Sequence, residues 1–162
     1  MPRRTVPGRL LNTSAGRVHM TRYMDSLSLE LAHAAQADYH EHLAGLGGEA
    51  TPIVMIADRP LPLPNLELRA YWREIAVESD FEALALIVTG AVGLVSMAAV
   101  HLGGLLVEVS GIHFRSFNQG DDAARWLVET ARCGVDEYEL AEVIEELTAA
   151  GAEPVSRELP SR

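Results

Sequence analysis

The chain has no lysine; its thirteen strongly basic residues are all arginine. A Schiff base, a Ser–Lys dyad and the lysine of a phosphate-binding loop each need an amine that can lose its proton or act as a compact point charge, so these chemistries are excluded. Cysteine is nearly absent too. Cys133 alone permits neither an internal disulfide nor a thiolate metal cluster, which fits a reducing cytoplasm. No apolar run of signal-peptide type follows Met1-Pro2-Arg3-Arg4, so no export signal is expected. There is no internal repeat and no low-complexity segment.

What is present suits one globular unit. At 162 residues a chain can bury roughly 70% of its unfolded surface, and 48% apolar with 22% charged residues is ordinary for a folded domain. The formal charge of −10 argues against nucleic acid and against bulk attraction to an anionic membrane. It is unevenly spread: residues 1–24 hold five arginines and no acid, whereas eight acids and two arginines follow Cys133. Solvated ends are the expectation, with self-association of basic arm and acidic end as the sharper alternative.

Along the chain, the small polar residues Asn12-Thr13-Ser14-Ala15-Gly16 predict a turn between two strands, the second over residues 17–24. Ser26 or Ser28 can cap a first helix whose stripe is Leu31, Ala35, Tyr39, Leu43 and Leu46, closed by Gly45, Gly47 and Gly48. Residues 52–57 form a continuous apolar run of the kind found in central parallel strands. Three alternating prolines, Pro60, Pro62 and Pro64, then hold the chain extended until Asn65 caps a second helix with Leu68, Trp72, Ile75 and Ala76 inward.

Residues 83–107 carry no formal charge and are long enough to cross a bilayer. Their flanks, Glu78, Asp80, Glu82 and Glu108, lack the positive cluster that orients a span, and Gly90, Gly93, Gly103 and Gly104 interrupt them. A buried strand over residues 82–89 and a covering helix over residues 91–106 are therefore expected. A further strand at residues 112–117 follows, then a helix begun by an Asn118–Asp121 capping box with Ala123, Ala124, Leu127, Val128 and Ala131 inward. The last helix starts at Asp136 and places Leu140, Val143, Ile144 and Leu147 on one narrow stripe.

Few residues suggest chemistry. His33, His40 and His42 share the first helix with Asp38 and Glu41, but His40 and His42 point about 200° apart, so a solvated face is expected rather than a metal site. His19, His101 and His113 are scattered. Cys133, beside Arg132, is expected to be a small core residue, the alternative being a thiol of lowered pKa. Asp58 closes the run at residues 52–57, at the strand end where ligands of open α/β sheets gather. Without a Ser–His pair, a second carboxylate or a glycine-rich loop, its expected role is to hold loop amides, with partner contact as the functional alternative.

The order strand, strand, helix, then alternating strands and helices predicts an α/β fold: a mostly parallel sheet that opens with a hairpin and is flanked by helices. Three stretches resemble the STAS superfamily, most of all its divergent SpoIIAA-like bacterial members. Residues 53–59 (Ile-Val-Met-Ile-Ala-Asp-Arg) with Glu67-Leu68-Arg69-Ala70-Tyr71 resemble the central strand ending in Asp and the helix after its variable loop. Residues 85–88 resemble the next buried strand. Phe114-Arg115-Ser116-Phe117 followed by Ala123-Ala124-Arg125-Trp126-Leu127 resembles the closing strand and helix. The likeness covers about residues 16–133, and residues 58–66 lack the hydroxyl that phosphoswitch members carry.

The resemblance implies a basic arm and first short strand in residues 1–15, a STAS-like domain in residues 16–134, and an added C-terminal helix with acidic tail in residues 135–162. It implies a non-enzymatic, cytoplasmic, regulatory module without cofactor or metal that binds a protein partner through Asp58, Arg59, Leu61, Leu63 and Asn65. A homodimer is compatible with it. A carrier of lipid or a small apolar ligand, using the helix at residues 91–106, is the alternative.

Overall fold

The computed structural model describes residues 3–59, 65–78, 81–88 and 111–150. Six strands lie side by side in chain order in one sheet: β1 (Arg3–Val6), β2 (Leu10–Ala15), β3 (Val18–Tyr23), β4 (Thr51–Ala57), β5 (Phe81–Val88) and β6 (His113–Phe117). β1, β2 and β3 pair antiparallel, and β3 to β6 pair parallel. Four helices are described: α1 (Leu29–Gly45), α2 (Leu66–Glu78), α3 (Gly120–Thr130) and α4 (Glu137–Ala149). The expected α/β class, with an opening hairpin and a mostly parallel sheet, is observed.

Strand side chains alternate between faces, and here both faces are covered. Ala83, Ala85 and Ile87 of β5 join Val54, Ile56, Met20 and Leu11 in a cluster completed by Leu127 of α3 and Leu140, Ile144 and Leu147 of α4. Leu84, Leu86 and Val88 point the other way, toward Tyr39 of α1, while Leu31 and Ala35 of α1 cover Leu10 and Tyr23. α2 lies against α1, where Tyr71 donates to the Ala32 carbonyl at 3.3 Å and its ring sits 4.4 Å from that of His33. Thus α1 and α2 lie on one face, α3 and α4 on the other.

Several local expectations hold. Ser28 caps α1 by accepting from Leu31 N, Asn65 Oδ1 accepts from Leu68 N at 2.9 Å, and Asp136 accepts from Glu139 N. Leu140, Ile144 and Leu147 are fully buried, each contributing about 1.5–3 kcal/mol by the transfer of its side chain from water. Cys133 is a core residue, 3% exposed, and burial next to Glu82 pushes its thiol up to about 11.

Other expectations need correction. Asn12, Thr13, Ser14 and Ala15 are strand, not turn; Ala15 pairs with Val18, leaving the two-residue loop Gly16-Arg17. Gly16 has φ +53° while Arg17, the other loop residue, does not have positive φ, the pattern of a type II′ hairpin. Residues 3–6 add an edge strand, β1, with a register shift between Arg4 and Val6. Such a bulge blunts an edge against further pairing. α3 is capped not by Asn118 but by Gln119, whose side chain makes no cap bond. Glycine follows at the first helical position, where close packing requires it: a Cβ on Gly120 would stand 2.7 Å from Ile144 Cγ2 of α4.

The helix expected at residues 91–106 lies outside the described residues, as do the side chains of Trp72, Ile75 and Ala76. Among the described residues no helix is long and apolar enough to cross a membrane.

Candidate functional site

Asp58 follows β4, next to the end of β3, and its backbone N–H donates to the Tyr23 carbonyl at 3.0 Å. Arg22 lies on the α4 side of β3 and meets it. Its Nε donates to Asp58 Oδ1 at 2.9 Å and Oδ2 at 3.1 Å, and its Nη2 donates to Oδ2 at 2.7 Å. Its Nη1 donates to the carbonyls of Leu147, at 3.0 Å, and Ala150. One guanidinium therefore joins the carboxyl ends of two parallel strands to the last turn of α4, where unpaired carbonyls and the negative end of the helix dipole favour a cation. Loop amides were the expected partner of Asp58; an arginine five strand residues after the hairpin turn takes that place instead.

Next to this bridge lies an exposed ion-pair network. Arg9 reaches Asp25 at 2.9 Å and Glu30 at 3.1 Å, and Arg59 stands 3.7 Å from Asp25. The Ser26 N–H and then Arg9 hold the Asp25 carboxyl below its usual range. Arg59 is 61% exposed, and Leu66, at the start of α2, is 81% exposed. Of the five residues expected to contact a partner, Asp58 and Arg59 sit at this rim, Asn65 caps α2, and Leu61 and Leu63 lie outside the described residues.

The sheet order also bears on chemistry at Asp58. Ligand crevices in open α/β sheets form where the strand order reverses. β3, β4, β5 and β6 run in sequence without reversal.

The histidines are less scattered than their spacing suggests. His33 faces Tyr71 of α2, whereas His42 donates through Nε2 to the Arg17 carbonyl at 2.9 Å. Its ring is 5.3 Å from that of His19, which is 4% exposed and pairs through Nε2 with Thr21 Oγ1 at 3.2 Å. Burial first, and then the nearby His42, lowers the His19 pKa to about 4. Asn12, Thr13, Ser14, His19, Asp38, Glu41 and His42 line an open cleft of about 340 Å³ between the β2–β3 hairpin and the end of α1. Two signals pointed there: His19 and Thr21 alternate with Val18 and Met20, and His42 lies three residues after buried Tyr39. Among the described residues, no group of three or more His, Cys, Asp or Glu side chains is placed to hold a metal ion. No family model, curated protein or solved structure matches the chain.

Proposed function

We propose that the chain is a non-enzymatic, cytoplasmic interaction module of the bacterial STAS-like kind, which docks a protein partner at the rim after β4. One observation carries this reading. The carboxylate at the end of β4 is engaged by Arg22 in a structural bridge, so what the rim offers is surface: exposed Arg59, Asn65 and Leu66. Asn65, Leu66, Glu67 and Arg69 border an open depression of about 490 Å³. Arginine is enriched at protein interfaces, and an exposed leucine near it adds apolar area to be covered. The element order, hairpin then parallel strands, supports the STAS-like part of the proposal, and the absence of a hydroxyl in residues 58–66 argues for docking without phosphorylation.

The test uses Arg59→Glu and Leu66→Asp, which spare the Arg22–Asp58 bridge. Affinity capture from the native host should recover a stoichiometric partner with the wild-type chain and lose it with either variant, melting temperatures being unchanged. Equal recovery by all three would overturn the docking site. Stoichiometric lipid co-purifying with the chain, together with flotation on liposomes, would overturn the module in favour of the carrier built on residues 91–106.

A further inference from the structure

We propose that the β2–β3 hairpin and the end of α1 form an acid-sensitive latch, in which protonation of the His19–His42 pair frees the last turns of the helix from the sheet. The device is separate from the docking rim, since His19 lies near the amino end of β3 whereas Asp58 follows the carboxyl end of β4.

The helix is held unevenly along its length. Its buried residues are Leu31, Ala32, Ala35 and Tyr39, and beyond Tyr39 none is buried. What holds residues 40–45 is mainly polar: His42 Nε2 donates to the Arg17 carbonyl at 2.9 Å and Thr51 donates to the Tyr39 hydroxyl at 3.3 Å, with half-buried Leu43 as the apolar contribution. A segment with few buried apolar contacts opens at lower cost than the body of a domain. Once off the sheet, so short a stretch of helix unravels in water.

The two rings make this contact sensitive to protons. They stand 5.3 Å apart, and His19 also meets the Tyr39 ring edge-on at 5.7 Å. His42 is half-buried, and its Nε2 already carries the proton given to the Arg17 carbonyl, so a further proton on Nδ1 leaves that bond intact. His19 has no such freedom. At 4% exposure, a proton there places a second cation beside His42 with almost no water to solvate it.

The surrounding charges come from several elements. Asp38 and Glu41 of α1 line the same cleft, each already engaged within the protein. Asn12, Thr13 and Ser14 of β2 and residues 51–57 of β4 include no titratable side chain. Arg17 at the turn is paired with Glu49 at 2.7 Å, and Arg3 of β1 is in register with Asn12, one strand further out. Burial and then His42 outweigh the two carboxylates and lower the His19 pKa to about 4. The closed form therefore refuses a proton that the opened form accepts at the ordinary histidine value of 6.5, so closure is favoured above that pH and weakens as pH falls.

Native-state hydrogen exchange of the full chain by NMR, in low urea at pH 7 and pH 5 and corrected for the intrinsic rate, tests the latch. Amides of residues 40–45 should exchange through an opening that urea hardly affects, unlike those of residues 140–147 in α4. The equilibrium constant for that opening should rise about 20-fold from pH 7 to pH 5. His19→Gln, which cannot titrate, should remove the rise. Exchange of residues 40–45 at pH 5 with the urea dependence of α4, no rise in the wild type, or an equal rise in His19→Gln would each overturn the proposal. So would ring signals showing that His19 of the wild type titrates near 6.5 while residues 40–45 stay protected, a result that needs no variant.

Discussion

Replacing His19 with glutamine should flatten the acid side of the stability profile. The native ring is buried and has a pKa of about 4, against 6.5 for an unhindered histidine. Below pH 6.5 the unfolded chain therefore takes up a proton that the native state refuses. The neutral ring contributes stability that is fully present above that pH and is lost as pH falls, with the loss complete once pH drops below the folded value. A shift of this size corresponds to about 3 kcal/mol in all, most of it lost between pH 7 and 4.5. That is a large share of the ~5–15 kcal/mol that holds a typical domain together.

Carboxylates titrate over the same interval, so the difference between two proteins is the informative quantity. Glutamine can keep a hydrogen bond to Thr21 Oγ1 but cannot titrate. Urea unfolding followed through Trp126, which packs 5.5 Å from the Phe117 ring, should give a wild-type stability that falls relative to His19→Gln by about 2–3 kcal/mol from pH 7 to 4.5. His42→Gln should make the fall slightly smaller and end it at a slightly higher pH, because the neighbouring ring is the second cause of the lowered pKa. Parallel curves for wild type and His19→Gln would refute the reasoning, since they would mean that the native ring protonates as freely as the unfolded one.

Three further outcomes test the packing. Asp58→Ala should cost about 2–3 kcal/mol in urea unfolding, because it leaves the Arg22 guanidinium partly buried without its carboxylate; Arg22→Met should cost more, since the carbonyls of Leu147 and Ala150 also lose their donor. Gly16→Ala should cost roughly 2–4 kcal/mol: the residue has φ +53°, and an added Cβ would stand 2.5 Å from the Cys133 carbonyl oxygen. Asp136→Ala should cost about 1 kcal/mol by removing the α4 cap, an effect that Asp136→Ser should largely restore. Thermal melts of these variants, compared with an exposed control such as Glu142→Ala, measure each effect.

Most elements were legible because their signals are local. Caps at Ser28, Asn65 and Asp136 follow from one side chain reaching an amide two or three residues on, and the stripe Leu140, Ile144, Leu147 follows from helical period alone. Misreadings occurred where a distant segment decides. Asn12, Thr13 and Ser14 have the composition of a turn, yet pairing with residues 19–21 makes them strand and their polarity serves the cleft. Asn118 has a suitable side chain for a cap, but α3 starts one residue later, after Gln119, with Gly120 packed close to Ile144 of α4. The partner of Asp58 is 36 residues away at Arg22, and no spacing rule connects the two. His19 and His42 are likewise joined only by the parallel pairing of β3 and β4, which folds α1 back over the hairpin.

The two faces of the sheet differ in how they hold buried polar groups. Four polar residues are buried among those described, Asn12, His19, Thr21 and Thr51. Asn12 and His19 line the cleft beside α1, Thr21 bonds His19, and Thr51 donates to the Tyr39 hydroxyl of α1 at 3.3 Å. The opposite cluster, under α3 and α4, contains only aliphatic and aromatic side chains and Cys133. An all-apolar face is the simpler route to stability, because each buried polar group must recover in hydrogen bonds what it loses in hydration. The α3 and α4 side holds its own largely buried polar group, the Arg22 guanidinium, which is likewise engaged by Asp58 and by carbonyls at the end of α4. Thr21→Val and Thr51→Val should therefore each cost about 1–3 kcal/mol in urea unfolding, because the His19 ring and the Tyr39 hydroxyl lose a partner inside the core. Leu127→Ala and Leu147→Ala should cost about 2–5 kcal/mol, the cavity adding to the lost transfer energy, and a threonine variant as stable as the wild type would refute the claim that these bonds are needed on the α1 face.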